Sequence, residues 1–213
     1  NVFRGEIYFL RGFFYATLFK LYGGVPLLKT TLSFSDPIPS RSSEEDVYNF
    51  IISDLDSAAT LLPITQEEVG RATKGAAIAE KAIISNFMNK YKEAAKYAKE
   101  LITLGIYDLH PNYAELFLPT YENNVEVIFD RQYMENAKDK SLGSDIDQFF
   151  APQMMGGWEA VSPTKDLIDT YECIDGKSIQ ESPLYDENNP FLNRDPRLEY
   201  SILHDGSVIA DKI

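Results

Sequence analysis

The chain is poor in the residues that most site chemistries require. Among its 213 residues there is one cysteine, Cys173, so it can form neither an intrachain disulfide nor a thiolate metal cluster. Its two histidines, His110 and His204, lie far apart and show no His-Glu-x-x-His spacing. No apolar run approaches the roughly 20 residues of a membrane-spanning helix. We therefore expect no disulfide framework, no metal site and no membrane span.

Positive charge is scarce as well. The chain has 20 Lys and Arg against 33 Asp and Glu, for a formal net charge of -13. A protein this acidic repels phosphate backbones and anionic lipid headgroups, so we expect no nucleic-acid partner. Neutral ligands such as sugars are unaffected by this charge.

Motifs for catalysis and phosphate binding are missing. Gly70-x4-Gly75 has the first half of a phosphate-binding loop, but Ala76 and Ala77 stand where that loop needs Lys and Ser or Thr. We interpret it as a turn before a helix cap. There is no Gly-x-Ser-x-Gly elbow, and no acid pair is placed by sequence to face its partner across a cleft. We therefore expect that the protein is not an enzyme and that it binds no cofactor.

Calcium is the remaining metal to consider. The run Asp186-Glu187-Asn188-Asn189 offers the oxygen ligands that Ca²⁺ prefers, but it lacks the Gly and the distal Glu of an EF-hand loop. We interpret it as an exposed acidic turn.

Residues 1–109 predict a helical scaffold. A first helix over Glu6–Leu21 ends at Gly23-Gly24, and Pro26 prevents it from resuming. A second helix runs over Ser43–Leu62 after a capping box formed by Ser42 and Glu45. The first helix carries an apolar stripe formed by Ile7, Leu10, Phe14, Leu18 and Leu21. Aromatic residues on its other faces predict that it is buried on most sides.

A helical hairpin follows. Thr73 is placed to cap a third helix, Asn89-Lys90 marks a tight break, and a fourth helix over Tyr91–Leu104 ends before Gly105. Small side chains on both helices allow close approach, which is typical of a tetratricopeptide-like hairpin. The residues predicted to face inward are Ala76, Ala77, Ala79, Ala82, Ile83, Phe87, Ala94, Ala95, Ala98, Leu101 and Ile102.

Residues 110–213 predict a loop-rich region. Val125–Phe129 is β-branched and strand-like, and Tyr200–Leu203 is a second candidate strand. A short helix is expected over Pro163–Tyr171, capped by Ser162 or Thr164. The fold class is therefore mainly α, as one domain over 1–213 with tetratricopeptide-like hairpins in an α-α superhelix, a loop-rich ligand face and few short strands. Binding sites usually lie on loops held by such scaffolds.

Aromatic side chains are the best candidates for ligand binding. The single Trp, Trp158, follows Gly156-Gly157 in a predicted loop, and an indole face stacks well on a sugar ring. The alternative is that Trp158 fills a gap beneath the loop, since large aromatic residues are mostly buried. The candidate ligand-binding residues are Trp158, Phe149, Phe150 and Tyr133.

Several short motifs occur in a characteristic order along the chain. They are Tyr22-Gly23-Gly24-Val25-Pro26, Gly70-Arg71-Ala72-Thr73-Lys74-Gly75-Ala76-Ala77, Gly156-Gly157-Trp158 and Arg194-Asp195-Pro196-Arg197-Leu198. Together they resemble the SusD/RagB family of bacterial outer-membrane nutrient-binding lipoproteins. In such a chain Gly23, Gly24, Pro26 and Arg71 are structural, and Arg194, Asp195 and Arg197 are expected to tie loops together by charge-assisted hydrogen bonds.

The resemblance implies a function and a location. Family members are non-catalytic, lipid-anchored through an N-terminal Cys at the outer cell surface, and pass glycans or peptides to a SusC-like TonB-dependent transporter. Starch-derived or other oligosaccharides are the expected ligands. The alternatives are peptide capture by a RagB-type protein and a tetratricopeptide-like interaction scaffold. The resemblance also implies that this chain is an internal portion of a longer protein, incomplete at both ends.

Overall fold

The computed structural model describes residues 1–134 and 143–207. These residues contain helices α1 (Val2–Tyr22), α2 (Glu44–Leu61), α3 (Lys74–Phe87), α4 (Tyr91–Thr103), α5 (Ile146–Phe150), α6 (Lys165–Thr170) and α7 (Pro196–Ser201), with 3-10 turns at Pro119–Tyr121 and Gln153–Met155. In the same residues a single isolated β-bridge joins Cys173 to Arg194. The prediction of a mainly α fold is confirmed, whereas the tetratricopeptide-like detail stays a prediction. No helix in the described ranges is long and apolar enough to cross a membrane.

The chain forms two compact units. Unit 1 contains Asn1–Leu109 and Asn123–Gln132, and unit 2 contains His110–Glu122 and Tyr133–Ile213. Unit 1 holds helices α1 to α4, while unit 2 holds the short helices α5 to α7.

In unit 1, α1 is buried on one face only, and the prediction that it is buried on most sides is wrong. The apolar stripe is exposed, and the buried residues are Gly5, Phe9, Gly12, Ala16 and Phe19. The reason is steric, because α1 lies so close to α2 that a Cβ on Gly12 would be 3.0 Å from Leu55 Cδ2. The small residues of the buried face permit this close approach, whereas the larger side chains of the apolar stripe would keep the two helices apart.

The core of unit 1 is built on this close approach. Phe129 lies in the second segment of unit 1, Asn123–Gln132. Its ring packs edge-on against that of Phe9, with ring centroids 4.8 Å apart. The buried apolar residues contributed by α1, α2 and α3 include Phe9, Ala16, Phe19, Val47, Ile51, Leu55, Ala58, Ala76, Ala77 and Ile84. Their removal from water, about 25 cal/mol per Å² of apolar surface, is the main stabilising term of the helical unit.

Helix ends follow local signals in most places. Thr73 Oγ1 accepts the Ala76 N–H at 3.2 Å, as predicted. Asn89 and Gly105 adopt positive φ angles of 57° and 67°, consistent with the predicted break and helix end. The predicted cap at Ser42 is wrong by one residue: Ser43 Oγ accepts the Asp46 N–H, and Ser42 N–H bonds Val25 O instead.

The predicted inward face of α4 is wrong. Within the described residues α4 packs mainly against α3, so only one side of it is covered. Ala94 and Leu101 are half-buried, whereas Ile102 is 75% exposed, and Ile83 and Phe87 on α3 are exposed too.

Both candidate strands are also wrong. Val125–Phe129 forms turns, in which Val127 N–H bonds Asn124 O and a single bond joins Asp108 N–H to Val125 O. Tyr200 and Ser201 belong to α7, and Ile202 and Leu203 follow it without strand structure. Pro196 at the first helical turn and the Asp195 cap begin a helix there. The helix predicted before Tyr171 is confirmed as α6, with Thr164 as its cap.

The Gly23-Gly24 turn brings the chain back against the start of α2. Gly23 has a φ of +67° and donates its N–H to Phe19 O. A Cβ on Gly24 would lie 2.1 Å from Ser42 O, so no side chain fits. Pro26 O accepts the Tyr15 hydroxyl at 3.3 Å, which fixes the strand-like exit of the turn against α1.

Candidate ligand-binding site

A tight hairpin in unit 2 carries most of the candidate aromatic residues. It runs from α5 through the 3-10 turn at Gln153–Met155 and back along residues 157–160. Trp158 N–H donates to Gln148 O at 2.7 Å, and Ala160 N–H donates to Phe149 O at 2.9 Å. These bonds hold the returning arm against α5.

The two glycines before Trp158 are required by this hairpin. Gly156 has a φ of +86°, which disfavours a side chain. A Cβ on Gly157 would lie 2.0 Å from Ala151 O, so the two arms could not meet at their present distance. The glycines therefore place Trp158 beside α5 and do not simply loosen the loop.

Trp158 and Phe149 form one aromatic surface. Their ring centroids are 4.9 Å apart and their planes meet at 78°, an edge-to-face contact. Trp158 remains 52% exposed and Phe149 43% exposed. We call this pair the aromatic pad. Because both residues are about half exposed, the pad can stack on a flat apolar ligand face.

The other two candidates are placed differently. Phe150 follows Phe149 on α5 and is exposed, but in the described residues no ring contact joins it to Trp158. Tyr133 is exposed and lies outside the hairpin. The hairpin also exposes Met154 and Met155, which the sequence did not single out because a methionine pair carries no ligand-binding signature. Their flexible thioethers can adapt to an apolar ligand surface.

The charged residues of the hairpin that carries the aromatic pad are all negative. Residues 143–160 contain Asp145, Asp147 and Glu159 but no Lys or Arg. Carboxylates accept hydrogen bonds from hydroxyl groups and repel anions. The site is therefore suited to a neutral, hydroxyl-rich ligand with one apolar face.

The described residues contain no group of three or more His, Cys, Asp or Glu side chains arranged to hold a metal ion. The Asp186 turn satisfies its own carboxylate: Oδ1 accepts the Asn188 N–H at 2.9 Å and Oδ2 accepts Asn189 Nδ2 at 2.8 Å. These bonds, that from the Asn189 side chain first, hold the pKa of Asp186 below its usual value.

The predicted structural residue Arg71 joins two parts of unit 1. Its guanidinium donates to both oxygens of Glu6 at 2.7 Å and to Glu68 at 3.0 Å. The bidentate pair with Arg71 lowers the pKa of Glu6.

Arg194, Asp195 and Arg197 lie together in unit 2. Arg194 is 5% exposed and donates to the carbonyl oxygens of Ile168, Tyr171 and Pro190 at 2.7, 2.8 and 2.7 Å. It thus fastens the end of α6. Arg197 Nε lies 3.0 Å from both oxygens of Asp195, and this contact lowers the pKa of Asp195.

Two family models match the sequence. The family described as starch-binding, associating with outer membrane, matches residues 1–87, and the family described as the SusD family matches residues 125–213. A SusD-like protein of Formosa agariphila is 30% identical over 181 residues, covering 75% of this chain and 36% of that protein. The chain spans between 30% and 40% of the length of the curated relatives that it matches.

Solved structures of SusD-like proteins also resemble this chain. A SusD-like carbohydrate-binding protein of Bacteroides fragilis superposes with a TM-score of 0.87 at 33% identity, over 96% of this chain and 40% of that chain. A laminarin-binding SusD-like protein superposes with a TM-score of 0.57 at 27% identity, over 61% of this chain and 30% of that one.

Proposed function

The chain belongs to the SusD/RagB family, and on that premise we propose that it binds neutral oligosaccharides without chemically changing them. The observation that carries the proposal is the aromatic pad: Trp158 and Phe149 in edge-to-face contact, each about half exposed, on a hairpin without positive charge. Covering the remaining exposed part of the indole with a sugar ring would stabilise a complex by about 2 kcal/mol.

The surroundings of the pad favour a sugar over other flat ligands. A pyranose presents C–H groups on one face and hydroxyl groups around its edge. The rings of the pad take the C–H face, while Asp147 and Glu159 supply acceptors for hydroxyl groups. A nucleotide or an acidic sugar would instead meet three carboxylates and no cation.

The relatives support the same ligand class. A similar structure is of a carbohydrate-binding protein and another is of a laminarin-binding one. We extend the proposal to the family's setting: a lipid-anchored position at the outer membrane, and delivery of the glycan to a SusC-like TonB-dependent transporter. Residues 110–213 would form the ligand side and residues 1–109 the helical scaffold.

A glycan array followed by calorimetric titration tests the proposal. The array identifies the polysaccharide class, and titrations of the matching hexasaccharide compare the unaltered chain with Trp158→Ala. The matched control is Phe34→Ala, which removes a fully exposed ring from unit 1. We expect Trp158→Ala to weaken binding at least about tenfold, corresponding to about 1.4 kcal/mol, and Phe34→Ala to leave it unchanged.

Two results would count against the proposal. Unchanged affinity in Trp158→Ala would remove the aromatic pad from the site. Binding to a peptide library with no binding to any glycan would replace sugar capture by peptide capture.

A further inference from the structure

Apart from the aromatic pad, unit 2 contains a cleft with the chemistry of a sugar-binding site. It is an open cleft of about 430 Å³, lined by Tyr113, Leu167, Thr170, Tyr171, Glu172, Asp195 and Arg197. None of these residues belongs to the aromatic pad. We refer to this space as the tyrosine cleft. We propose that the tyrosine cleft binds a neutral hexose unit, a second point of contact for the kind of glycan proposed above.

The walls of the tyrosine cleft are held in place by buried contacts. Arg194, behind the cleft, ties the last turn of α6 through Ile168 O and Tyr171 O. Asp195 N–H donates to Glu172 O at 2.9 Å, next to the bridge between Cys173 and Arg194. The backbone of two walls of the cleft is therefore fixed before a ligand enters.

Arg197 and its neighbours set the charge. Arg197 binds Asp195 through Nε, and the contact with Asp195, then Tyr113 and Glu172 among other influences, raises the pKa of Arg197. One guanidinium thus faces two carboxylates, Asp195 and Glu172, so the local charge is about −1. Asp195 already neutralises the charge of Arg197, so an anionic ligand would be repelled by the remaining carboxylate.

The unoccupied polar groups point to hydroxyl groups as the ligand chemistry. Within the described part of the chain, the Glu172 carboxylate, Arg197 Nη1 and the Tyr171 hydroxyl make no hydrogen bond. They are an acceptor, a donor and a group that does both. A cation could use the two acceptor oxygens but not the Arg197 donor, whereas vicinal sugar hydroxyls can use all three groups.

The aromatic walls complete the match. Tyr113 is held edge-on against Phe117, with centroids 5.9 Å apart, and its hydroxyl lies 3.3 Å from Ser201 Oγ. Tyr171 is half-buried on the opposite element, at the end of α6. The Tyr113 ring, fixed in this way, provides apolar contact for a pyranose face with little loss of side-chain freedom.

The test separates this cleft from the aromatic pad. Laminarihexaose and maltohexaose are titrated calorimetrically into the full chain, into Trp158→Ala, into Thr170→Tyr and into the double variant. Thr170→Tyr fills the tyrosine cleft from an exposed position, and Asp166→Tyr on the same helix is its matched control. We expect Thr170→Tyr to weaken binding of the responding sugar at least about fivefold in both backgrounds, and Asp166→Tyr to leave it unchanged.

The outcomes distinguish the two proposals. If Thr170→Tyr matches Asp166→Tyr while Trp158→Ala removes binding, the tyrosine cleft is not a sugar site and the proposed function stands. If Trp158→Ala has no effect while Thr170→Tyr removes binding, the cleft stands and the aromatic pad falls. If neither sugar binds the unaltered chain although the array finds a glycan, that glycan replaces them as the probe and the same comparison decides.

A second pair of variants tests the ligand class. Glu172→Gln keeps a hydrogen-bond acceptor but removes the charge, and Glu187→Gln makes the same charge change at an exposed turn. For a neutral sugar we expect Glu172→Gln to weaken binding no more than about threefold. A glucosamine hexasaccharide could instead bind the unaltered chain more tightly than the neutral sugar does. If Glu172→Gln abolishes that binding and Glu187→Gln does not, the neutral-sugar assignment is overturned in favour of a cationic ligand.

Discussion

Arg11 and Asp54 join α1 to α2 through two parallel hydrogen bonds, with Nε–Oδ2 at 2.6 Å and Nη2–Oδ1 at 2.8 Å. Asp54 is 4% exposed, and Arg11 supplies the counter-charge to its buried carboxylate. The bidentate geometry fixes both the distance and the rotation of the two helices. This ion pair lies beside the close approach at Gly12, where the Leu55 side chain of α2 packs directly onto the backbone of α1.

We predict that Arg11→Met destabilises the chain more than an exposed charge change does. The substitution keeps the aliphatic length but leaves Asp54 buried without its counter-charge, which costs about 3 kcal/mol. Arg4→Met, on an exposed part of α1, is the matched control and is expected to cost less than about 1 kcal/mol. Urea unfolding of the two variants measures the difference. Equal midpoints would show that the ion pair does not hold the helices together.

A glycine pair separates steric collision from backbone strain. Gly24→Ala would place a Cβ 2.1 Å from Ser42 O, a backbone atom that cannot rotate away. Gly105→Ala meets nothing within 4 Å and pays only for its φ of +67°, about 1 kcal/mol. We expect Gly24→Ala to lower the free energy of unfolding by at least about 2 kcal/mol, the larger loss of the two. A smaller loss than in Gly105→Ala would mean that the turn opens easily.

Local signals were predictable from sequence, and choices between faces were not. Thr73 and Gly105 mark helix ends because a cap depends on residues within one turn. Helix α1, by contrast, carries two apolar stripes. The larger one reads as the core face, yet the stripe containing Gly12 is buried because only it lets α2 approach closely. That preference depends on the partner helix, which the periodicity of α1 alone does not contain.

The candidate site shows the same division. The sequence identified Trp158 and Phe149 separately, by residue type and by their glycine-rich setting. Their edge-to-face contact depends on Gly157 passing close to Ala151 O, which brings the two arms together. The tyrosine cleft was not predictable because its residues come from three separate stretches, and the buried Arg194 joins two of them. No spacing in the sequence connects Tyr113 with Arg197.

The Glu6–Arg71 pair predicts a pH dependence of stability. Arg71 lowers the pKa of Glu6 in the folded chain below the ordinary value of 4.5. The pair therefore stabilises the fold above about pH 4.5, and this contribution is lost as the pH falls through the folded-state pKa. In Arg71→Gln we expect a shallower fall of the unfolding free energy on acidification.

Thermal melts between pH 7 and pH 3 check this prediction. Lys99→Gln, which removes one exposed positive charge from α4, is the matched control and should keep the original acid dependence. Asp186 and Asp195 also have lowered pKa values, so a residual acid dependence is expected in both variants. Identical acid profiles for Arg71→Gln and the unaltered chain would contradict the assignment.

Trp158 is the chain's single tryptophan, so its fluorescence reports on the aromatic pad directly. Phe149→Leu keeps an apolar side chain but removes the edge-to-face ring, which is worth about 1 kcal/mol. We expect the emission of Trp158 to move to longer wavelength and acrylamide to quench it more strongly, because the indole is no longer held against α5. Sugar affinity should fall about fivefold, less than in Trp158→Ala, since the stacking ring itself is retained. Phe150→Leu, one position further along α5, is the matched control. If it changes emission and affinity as much as Phe149→Leu does, the pad depends on α5 as a whole and not on the Phe149–Trp158 contact.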